Sequence, residues 1–170
     1  HPRLYALLAT ACFPPMRLAL WTHISGLDAP LIPAGLPALA DDSGLCVDAL
    51  GGAPGVISAR FAGEPKSDQR NNEKLIADLV DHADKRGHYV CVLVFVRHAD
   101  DPQPIIAEGE WHGEIVATPR GSGGFGYDPY FLLPDLGVTA AELDSAEKNR
   151  RSHRGLALQH LIERLKARIG

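Results

Sequence analysis

The sequence predicts an α/β protein with a mixed β-sheet at its centre. Apolar residues recur at helical spacing over residues 67–83 and 152–169, and apolar runs such as "HYVCVLVFV" lie between the two segments. The nearly continuous Val, Leu and Phe content of that run is typical of a strand buried on both faces. Helices that alternate with strands indicate the α/β class, and 170 residues suffice for one domain with a sizeable core.

The local signals become sharp at Leu36. "LPALA" and "LCVDAL" each predict a short buried strand, and the DDSG between them predicts a turn. "GGAPGVISARFAGEP" is interrupted by Gly and Pro, which predicts a loop with one helical turn. We therefore divide the chain into an atypical N-terminal segment, residues 1–35, and an α/β domain, residues 36–170.

The middle of the chain contains one predicted helix and several predicted strands. "SDQRNNEKLIADLVDHA" predicts a helix capped by Ser67 or Asp68. "HYVCVLVFVRHA" predicts the strongest strand, and "PIIAEGEWHGEIVATP" predicts one or two more with a turn or bulge near Gly109 or Gly113. The buried stripe of the helix is predicted to comprise Leu75, Ile76, Leu79 and Val80.

The C-terminal part is predicted to be a glycine-rich loop, a short apolar run and two helical segments. "RGSGGFGYDPYFLLP" gives the loop and the run, and "AELDSAEKN" is predicted to be helical in part. The last helix is predicted to begin at Ser152 as its cap. Its buried stripe is predicted to comprise Leu158, Leu161, Ile162, Leu165 and Ile169.

Composition narrows the classes of function. The net charge of −4 and the pI near 6.0 argue against non-specific nucleic-acid binding. Three cysteines without a CxxC pair favour free thiols in a reducing cytoplasm. The apolar run at the N-terminus is broken by Pro14, Pro15 and Arg17 and is too short to span a bilayer, although a signal peptide is an alternative interpretation.

The first stretch with candidate chemistry is DDSG, which contains Asp41 and Asp42. A turn is one interpretation, because Asp, Ser and Gly all favour turns. The other is a Mg²⁺ site, since Mg²⁺ prefers hard oxygen ligands and usually takes one or two carboxylates together with substrate phosphates. A carboxylate at the end of a strand is also well placed to orient an attacking water.

The second stretch is the glycine-rich "GSGGFGYDP". Its glycines let the backbone approach a ligand closely, and Phe125 and Tyr127 supply flat rings for stacking on a purine. A hairpin loop without a ligand is the alternative interpretation.

The third stretch, "EKNRRSHRG", places basic residues at the start of a predicted helix. A helix N-terminus with Lys148 and neighbouring arginines suits an anion, whereas a solvated basic face is the alternative. His153 and Arg154 together offer donors that can read a carbonyl-bearing base.

Three motifs, "ADDSGLCVDALGGAPGVISARFAG", "GGFGYDPYF" and "AELDSAEKNRRSHRGLAL", resemble in order those of the inosine triphosphate pyrophosphatase family. The resemblance implies a long mixed central sheet with two α/β lobes and a cleft between them. It implies Mg²⁺-dependent hydrolysis of ITP, dITP and XTP to the nucleoside monophosphate and pyrophosphate, which cleanses the nucleotide pool. It also implies a cytoplasmic homodimer that binds neither nucleic acid nor a membrane.

Site residues follow from the same resemblance, motif by motif. Asp42 is implied as the catalytic general base and a Mg²⁺ ligand, and Asp41 either ligates the metal as well or hydrogen-bonds nearby. The implied substrate-binding residues are Ser43, Phe125, Gly126, Tyr127, Asp128, Lys148, His153 and Arg154. Within that set, His153 and Arg154 are implied to recognise the 6-oxo group of the purine.

The N-terminal segment departs from the family pattern. A T-G-N-x-x-K loop and a glutamate in an E-N-A-like stretch normally help to hold the triphosphate and the metal, and neither occurs before DDSG. Two alternatives to an active pyrophosphatase therefore stay open. One is a non-catalytic or impaired nucleotide-binding relic, and the other is a Mg²⁺ phosphohydrolase that acts on a monophosphate.

Overall fold

A computed structural model describes residues 37–169, so the predicted segment 1–35 lies outside the described residues. Within that range the chain forms a six-stranded sheet and three α-helices. The strands are β1 (Ala38–Val47), β2 (Pro54–Gly55), β3 (Arg86–Val96), β4 (Ile105–Ile115), β5 (Phe131–Leu133) and β6 (Val138–Thr139). The helices are α1 (Asp68–Leu79), α2 (Ser145–Arg151) and α3 (His153–Ile169), and single 3₁₀ turns occupy Asp48–Leu50, Ser58–Arg60 and Asp128–Tyr130.

The strands are arranged in the order β2-β1-β3-β4-β5-β6. β1 pairs antiparallel with β2, with Leu45 opposite Gly55, and β4 pairs antiparallel with β5, with Ile115 opposite Phe131. β5 and β6 are antiparallel as well. The predicted α/β class is confirmed.

Tertiary contacts divide the chain into two compact units. Among the described residues, the first unit holds residues 37–41 and 93–106, and the second holds residues 42–92 and 107–169. In the first unit, the buried carboxylate of Asp101 stabilises the loop that follows β3. It accepts hydrogen bonds from the backbone N–H groups of Arg97 and Gln103, at 2.9 and 3.0 Å. The second unit contains all three helices and the aromatic core.

The DDSG stretch is part of β1 rather than a turn, so the prediction of two strands separated by a turn is wrong. Gly44 has an ordinary extended backbone, and a Cβ at this position would lie 2.2 Å from the carbonyl oxygen of Gly55. The glycine therefore permits close approach of the neighbouring segment. β1 lies between β2 and β3 in the sheet, and it runs without a break through residues that would favour a turn in isolation.

α1 begins where the sequence predicts. The Ser67 side chain accepts from the backbone N–H of Arg70 at 3.3 Å and caps the helix. Leu75 and Leu79 are buried, and Ile76 packs against the core. Val80 is 73% exposed because the helix ends at Leu79, so its assignment to the buried stripe is wrong.

β4 is a single unbroken strand, which corrects the predicted turn or bulge at Gly109 or Gly113. Both glycines instead allow close packing. A Cβ on Gly109 would lie 2.2 Å from the carbonyl oxygen of His153, and a Cβ on Gly113 would lie 2.5 Å from that of Leu132. The absence of side chains at these positions lets α3 and β5 lie directly against the strand.

The buried face of α3 differs from the predicted stripe. Ser152 accepts from the N–H of Gly155 at 3.2 Å, which confirms the cap. Ala157 and Leu161 are buried, whereas Leu158 and Ile162 are 47% and 41% exposed. The prediction favoured large apolar residues, but the helix meets β4 at Gly109 through backbone atoms of His153 and Ala157. Leu165 is half-buried, and the side chain of Ile169 lies outside the described residues.

The core of the second unit is built around aromatic rings from three strands. The ring centroids of Tyr89 and Phe131 are 4.7 Å apart, and those of Trp111 and Phe131 are 5.5 Å apart. Cys46 and Cys91 are free thiols, as predicted. None of the helices within residues 37–169 combines the length and the apolar composition that a bilayer span requires.

Candidate active site

The second unit contains a pocket of about 620 Å³. Its wall is formed by the middle of β1, the 3₁₀ turn Ser58–Arg60, the start of α1, the glycine-rich loop, α2 and the first residues of α3. This volume is typical of small-molecule sites. Segments that are far apart in the sequence therefore converge on one ligand-sized space.

Most of the predicted site residues line this pocket. They are Ser43, Phe125, Gly126, Tyr127, Asp128, Lys148, His153 and Arg154. Asp42 immediately precedes the pocket-lining part of β1, and Asp41 precedes Asp42. The individual roles assigned to these residues stay predictions.

Asp128 and Lys148 form an ion pair in the pocket wall. The Lys148 Nζ donates to Asp128 Oδ2 at 2.6 Å, and the two side chains are 20% and 6% exposed. The same carboxylate oxygen accepts from the backbone N–H of Phe125 at 2.7 Å. This oxygen of Asp128 is thus held by two donors, which help to compensate the cost of burying the charge.

The glycine-rich loop wraps around this ion pair. Gly121, Gly124 and Gly126 have left-handed φ values of 79°, 75° and 62°. A Cβ on Gly124 would lie 2.2 Å from Asp128 Oδ2 and 2.7 Å from Lys148 Nζ. Glycine is required at position 124 both for its conformation and for the space that the ion pair occupies.

Phe125 presents an exposed ring at the pocket. Its side chain is 67% exposed, although it lies between two cations: Lys148 Nζ is 5.5 Å and Arg154 Cζ is 5.8 Å from the ring centroid. A cation at this distance is attracted to the face of an aromatic ring. The ring and the cations together suit a ligand that combines a flat ring with negative charge.

His153 stacks on a core aromatic ring. Its imidazole stacks on the ring of Tyr89, with centroids 4.8 Å apart and an interplanar angle of 11°. The Tyr89 hydroxyl donates to Asp128 Oδ1 at 3.4 Å. Burial, reinforced by the charge of Asp128, raises the pKa of Tyr89 well above its ordinary value, so the phenol stays neutral and can donate.

The basic cluster is divided between the pocket and the surface. Lys148 and Arg154 line the pocket, whereas Arg150 and Arg151 pair with Glu147, and Arg151 also pairs with Asp135 at 3.1 Å. The two guanidinium groups lower the pKa of Glu147, with Arg151 as the larger cause. Only part of the run therefore contributes to an anion site, and the other part is a solvated ion-pair network.

Several pocket residues were not predicted as site residues. They are Ser58, Lys66, Asp68, Asn71 and Tyr89. Tyr89 lies within an apolar strand run and Asp68 was assigned only as a possible helix cap. Neither local pattern indicates a pocket residue. Ser58 alone carried a signal, because it falls inside one of the motifs quoted for the family resemblance.

A protein-only metal cage is not found in the described part of the chain: no group of three His, Cys, Asp or Glu there could hold an ion. Mg²⁺ does not need such a cage, since it is commonly bound through one or two carboxylates plus substrate phosphates. The carboxylate of Asp42, next to the pocket-lining residues of β1, is a donor of the required type.

The fold and the pocket together define an α/β protein with a site for an anionic ligand that carries a flat ring. Comparison with known proteins agrees with that class. The model of the Ham1 family matches residues 25–164. The dITP/XTP pyrophosphatase of Ralstonia nicotianae is 69% identical over 136 residues, which cover 78% of this chain and 68% of that protein.

Two further matches agree. The dITP/XTP pyrophosphatase of Aromatoleum aromaticum is 66% identical over 132 residues, which cover 78% of this chain and 67% of that protein. The solved structure of a HAM1 protein from Coxiella burnetii superposes with a TM-score of 0.75 at 48% identity, over 78% of this chain and 68% of that one. The chain belongs to the Ham1 family, which confirms the resemblance drawn from its three motifs.

Proposed function

We propose that this chain hydrolyses the non-standard purine nucleoside triphosphates ITP, dITP and XTP to the nucleoside monophosphate and pyrophosphate. The observation that carries the proposal is the convergence of an aromatic platform, two cations and a buried imidazole on one pocket. Relatives that are 62–69% identical and are named dITP/XTP pyrophosphatase support the same activity.

Selection against adenine follows from the donors in the pocket. The Arg154 guanidinium only donates hydrogen bonds, and the buried His153 imidazole can donate from a ring nitrogen. The oxygen at C6 of hypoxanthine or xanthine accepts such bonds. The amino group of adenine at the same place is itself a donor, so adenine leaves these two donors, one of them on the buried His153, without an acceptor.

The phosphate chemistry is assigned to the β1 side of the pocket. Asp42 orients the attacking water and takes its proton on a carboxylate oxygen, while Ser43, the first β1 residue in the lining, contacts the substrate. Lys148 adds positive charge on the opposite wall, although its pairing with Asp128 uses part of that charge. Positioning and charge neutralisation are the main requirements of phosphoryl transfer.

Mg²⁺ is the proposed cofactor, held by Asp42 and by phosphate oxygens of the substrate. When bound, it supplies positive charge that stabilises the leaving pyrophosphate. Of the two adjacent carboxylates we favour Asp42 as the ligand, because it directly precedes Ser43 in the pocket lining.

The proposal extends to the assembly and its location. We assign a homodimer in the cytoplasm, with support from the family resemblance and from the two free thiols. Sedimentation velocity at micromolar concentration checks the dimer directly, and a purely monomeric species would contradict it.

The decisive experiment measures pyrophosphate release from ITP, dITP, XTP, ATP and GTP, with Mg²⁺ and with EDTA. We expect release from the first three substrates, loss of release with EDTA, and loss in Asp42→Asn, which keeps the size of the side chain and removes its charge.

The product and the binding behaviour separate the alternatives. Free phosphate instead of pyrophosphate would favour a phosphohydrolase of another kind. Binding of ITP without turnover, measured by calorimetry on the folded protein, would favour a non-catalytic nucleotide-binding protein.

A further inference from the structure

The N-terminal part of α1 binds both the backbone N–H and the backbone carbonyl of Gly126, a residue of the pocket lining. Asp68 and Asn72, which are one helical turn apart, both bind Gly126. The Gly126 N–H donates to Asp68 Oδ2 at 3.1 Å, and the Asn72 Nδ2 donates to the Gly126 carbonyl at 3.0 Å. One helix thus fixes the orientation of the peptide groups on either side of this glycine.

Gly126 is not confined by packing. Its φ is +62°, and a Cβ added there would have no other atom within 4 Å. Hydrogen bonds therefore set the conformation of this residue, because no neighbouring side chain presses on its α-carbon. The residues on either side, Phe125 and Tyr127, both line the pocket.

The neighbouring Asn71 of α1 also fixes a second segment of the pocket wall. The Asn71 Nδ2 donates to the carbonyl oxygens of Ser58 and Ala59, at 3.3 and 3.1 Å. The Tyr127 hydroxyl donates to the Ser58 carbonyl at 2.8 Å and links the two segments. Two segments of the pocket wall, at Ser58–Ala59 and at Gly126, are therefore hydrogen-bonded to α1.

We propose that Asp68 and Asn72 are positioning residues of the substrate pocket. They hold the peptide groups of Gly126 so that the ring of Phe125 and the carboxylate of Asp128 face the bound base. The expected kinetic effect of this inference rests on the proposed function. The expected structural effect rests on the hydrogen bonds alone.

Asn72 offers a variant that separates positioning from stability. Its Oδ1 is buried and has no hydrogen-bond partner among residues 37–169. Asn72→Leu, which has nearly the same shape, removes this unpaired oxygen together with the donor to Gly126. We expect an unchanged or higher melting temperature, because a desolvated oxygen is lost along with one hydrogen bond.

The kinetic expectation for Asn72→Leu goes in the opposite direction. We expect the KM for ITP to rise about three- to tenfold, the equivalent of one lost hydrogen bond, with kcat little changed. Asp68→Ala should act in the same way, whereas Asp68→Asn keeps an acceptor for the Gly126 N–H and should restore most of the affinity. Gln69→Ala is the matched control, since the Gln69 side chain is exposed near the start of α1 and donates to Glu73 at 2.9 Å rather than to Gly126.

A second readout does not depend on catalysis. Amide hydrogen exchange followed by NMR should show faster exchange at Gly126 in Asp68→Ala, and unchanged exchange there in Gln69→Ala. Unchanged exchange at Gly126 together with an unchanged KM would overturn the inference, as would a KM increase in Gln69→Ala equal to that in Asn72→Leu. If the wild-type chain releases no pyrophosphate but Gly126 responds as expected, the proposed function fails and the positioning role stands.

Discussion

The imidazole of His153 lies flat on the ring of Tyr89, with an interplanar angle of 11° and centroids 4.8 Å apart. His153 is the first residue of α3, and Tyr89 belongs to β3. The orientation of the imidazole at the pocket is therefore set by the central sheet. Tyr89 itself contacts Phe131 and Trp111, so the stacking extends from the core to the proposed base-recognition residue.

Two substitutions of Tyr89 should have different effects. Tyr89→Phe keeps the stacking and loses only the 3.4 Å hydrogen bond to Asp128, so we expect a loss of no more than about 1 kcal/mol of unfolding free energy. Tyr89→Leu removes the ring from its aromatic neighbours and should cost about 2 kcal/mol and raise the KM for ITP. Urea denaturation measures the stability. Equal losses in both variants would show that the ring stacking contributes little.

The ion pair between Lys148 and Asp128 should contribute to folding as well as to binding. Lys148→Met leaves the 6%-exposed Asp128 carboxylate without its cation, which we expect to cost about 3 kcal/mol of unfolding free energy. The double variant Lys148→Met/Asp128→Asn removes both charges and should recover more than half of that loss. A double variant no more stable than Lys148→Met would contradict the assignment of the cost to an unpaired charge.

Two glycines of the same loop provide a matched comparison. Gly126→Ala places a methyl group in open space at a left-handed φ, so we expect a cost of about 1 kcal/mol. Gly124→Ala incurs the same conformational cost and also drives the methyl group into Asp128 and Lys148, so a loss of at least about 3 kcal/mol is expected. Thermal melts of the two variants check the order. Similar melting temperatures would mean that the ion pair moves aside freely.

The stability contributed by Asp101 should depend on pH. The Arg97 side chain, helped by backbone N–H groups, holds the pKa of Asp101 well below its usual range. Because the folded pKa lies below the unfolded value of about 3.9, the stabilisation is present above about pH 4 and is lost as the pH falls towards the folded pKa. We expect Asp101→Asn to cost about 2 kcal/mol at pH 7.

Urea denaturation at pH 7, 5 and 3 tests this dependence. The difference between wild type and Asp101→Asn should shrink at pH 3, because Asp101 is then protonated in the unfolded chain but still ionised in the folded protein, which favours unfolding of the wild type. The exposed Asp81 provides the control, because Asp81→Asn should track the wild type at each pH. A constant difference across the three pH values would contradict the electrostatic origin of the effect.

Local signals predicted the helices and the pocket-lining loops well. Ser67 and Ser152 mark the helix starts because capping is decided within one turn of chain. The glycine-rich loop was identified as a ligand-binding candidate for a similar reason, since glycine spacing is visible in the sequence. Eight of the predicted site residues consequently meet at one pocket, although their roles await the kinetic tests.

Non-local contacts account for what the sequence did not reveal. DDSG has the composition of a turn, yet it lies within β1, between two neighbouring strands of the sheet. Tyr89 looks like one more core residue of β3 until His153, far along the chain, packs on its ring. Asp68 looks like a helix cap until Gly126 donates to it. In each case the deciding partner is distant in sequence.

The bare α-carbon of Gly109 beneath the first turn of α3 has a consequence for protein engineering. Because the His153 carbonyl packs directly against β4 at Gly109, the first turn of α3 cannot move closer to the strand and shift His153 to suit a different base. Libraries that aim to change nucleobase preference should therefore vary Phe125 and Arg154, whose side chains are exposed and free to change size. Gly109 and the first turn of α3 should be kept unchanged, because we expect most substitutions at Gly109 to prevent folding.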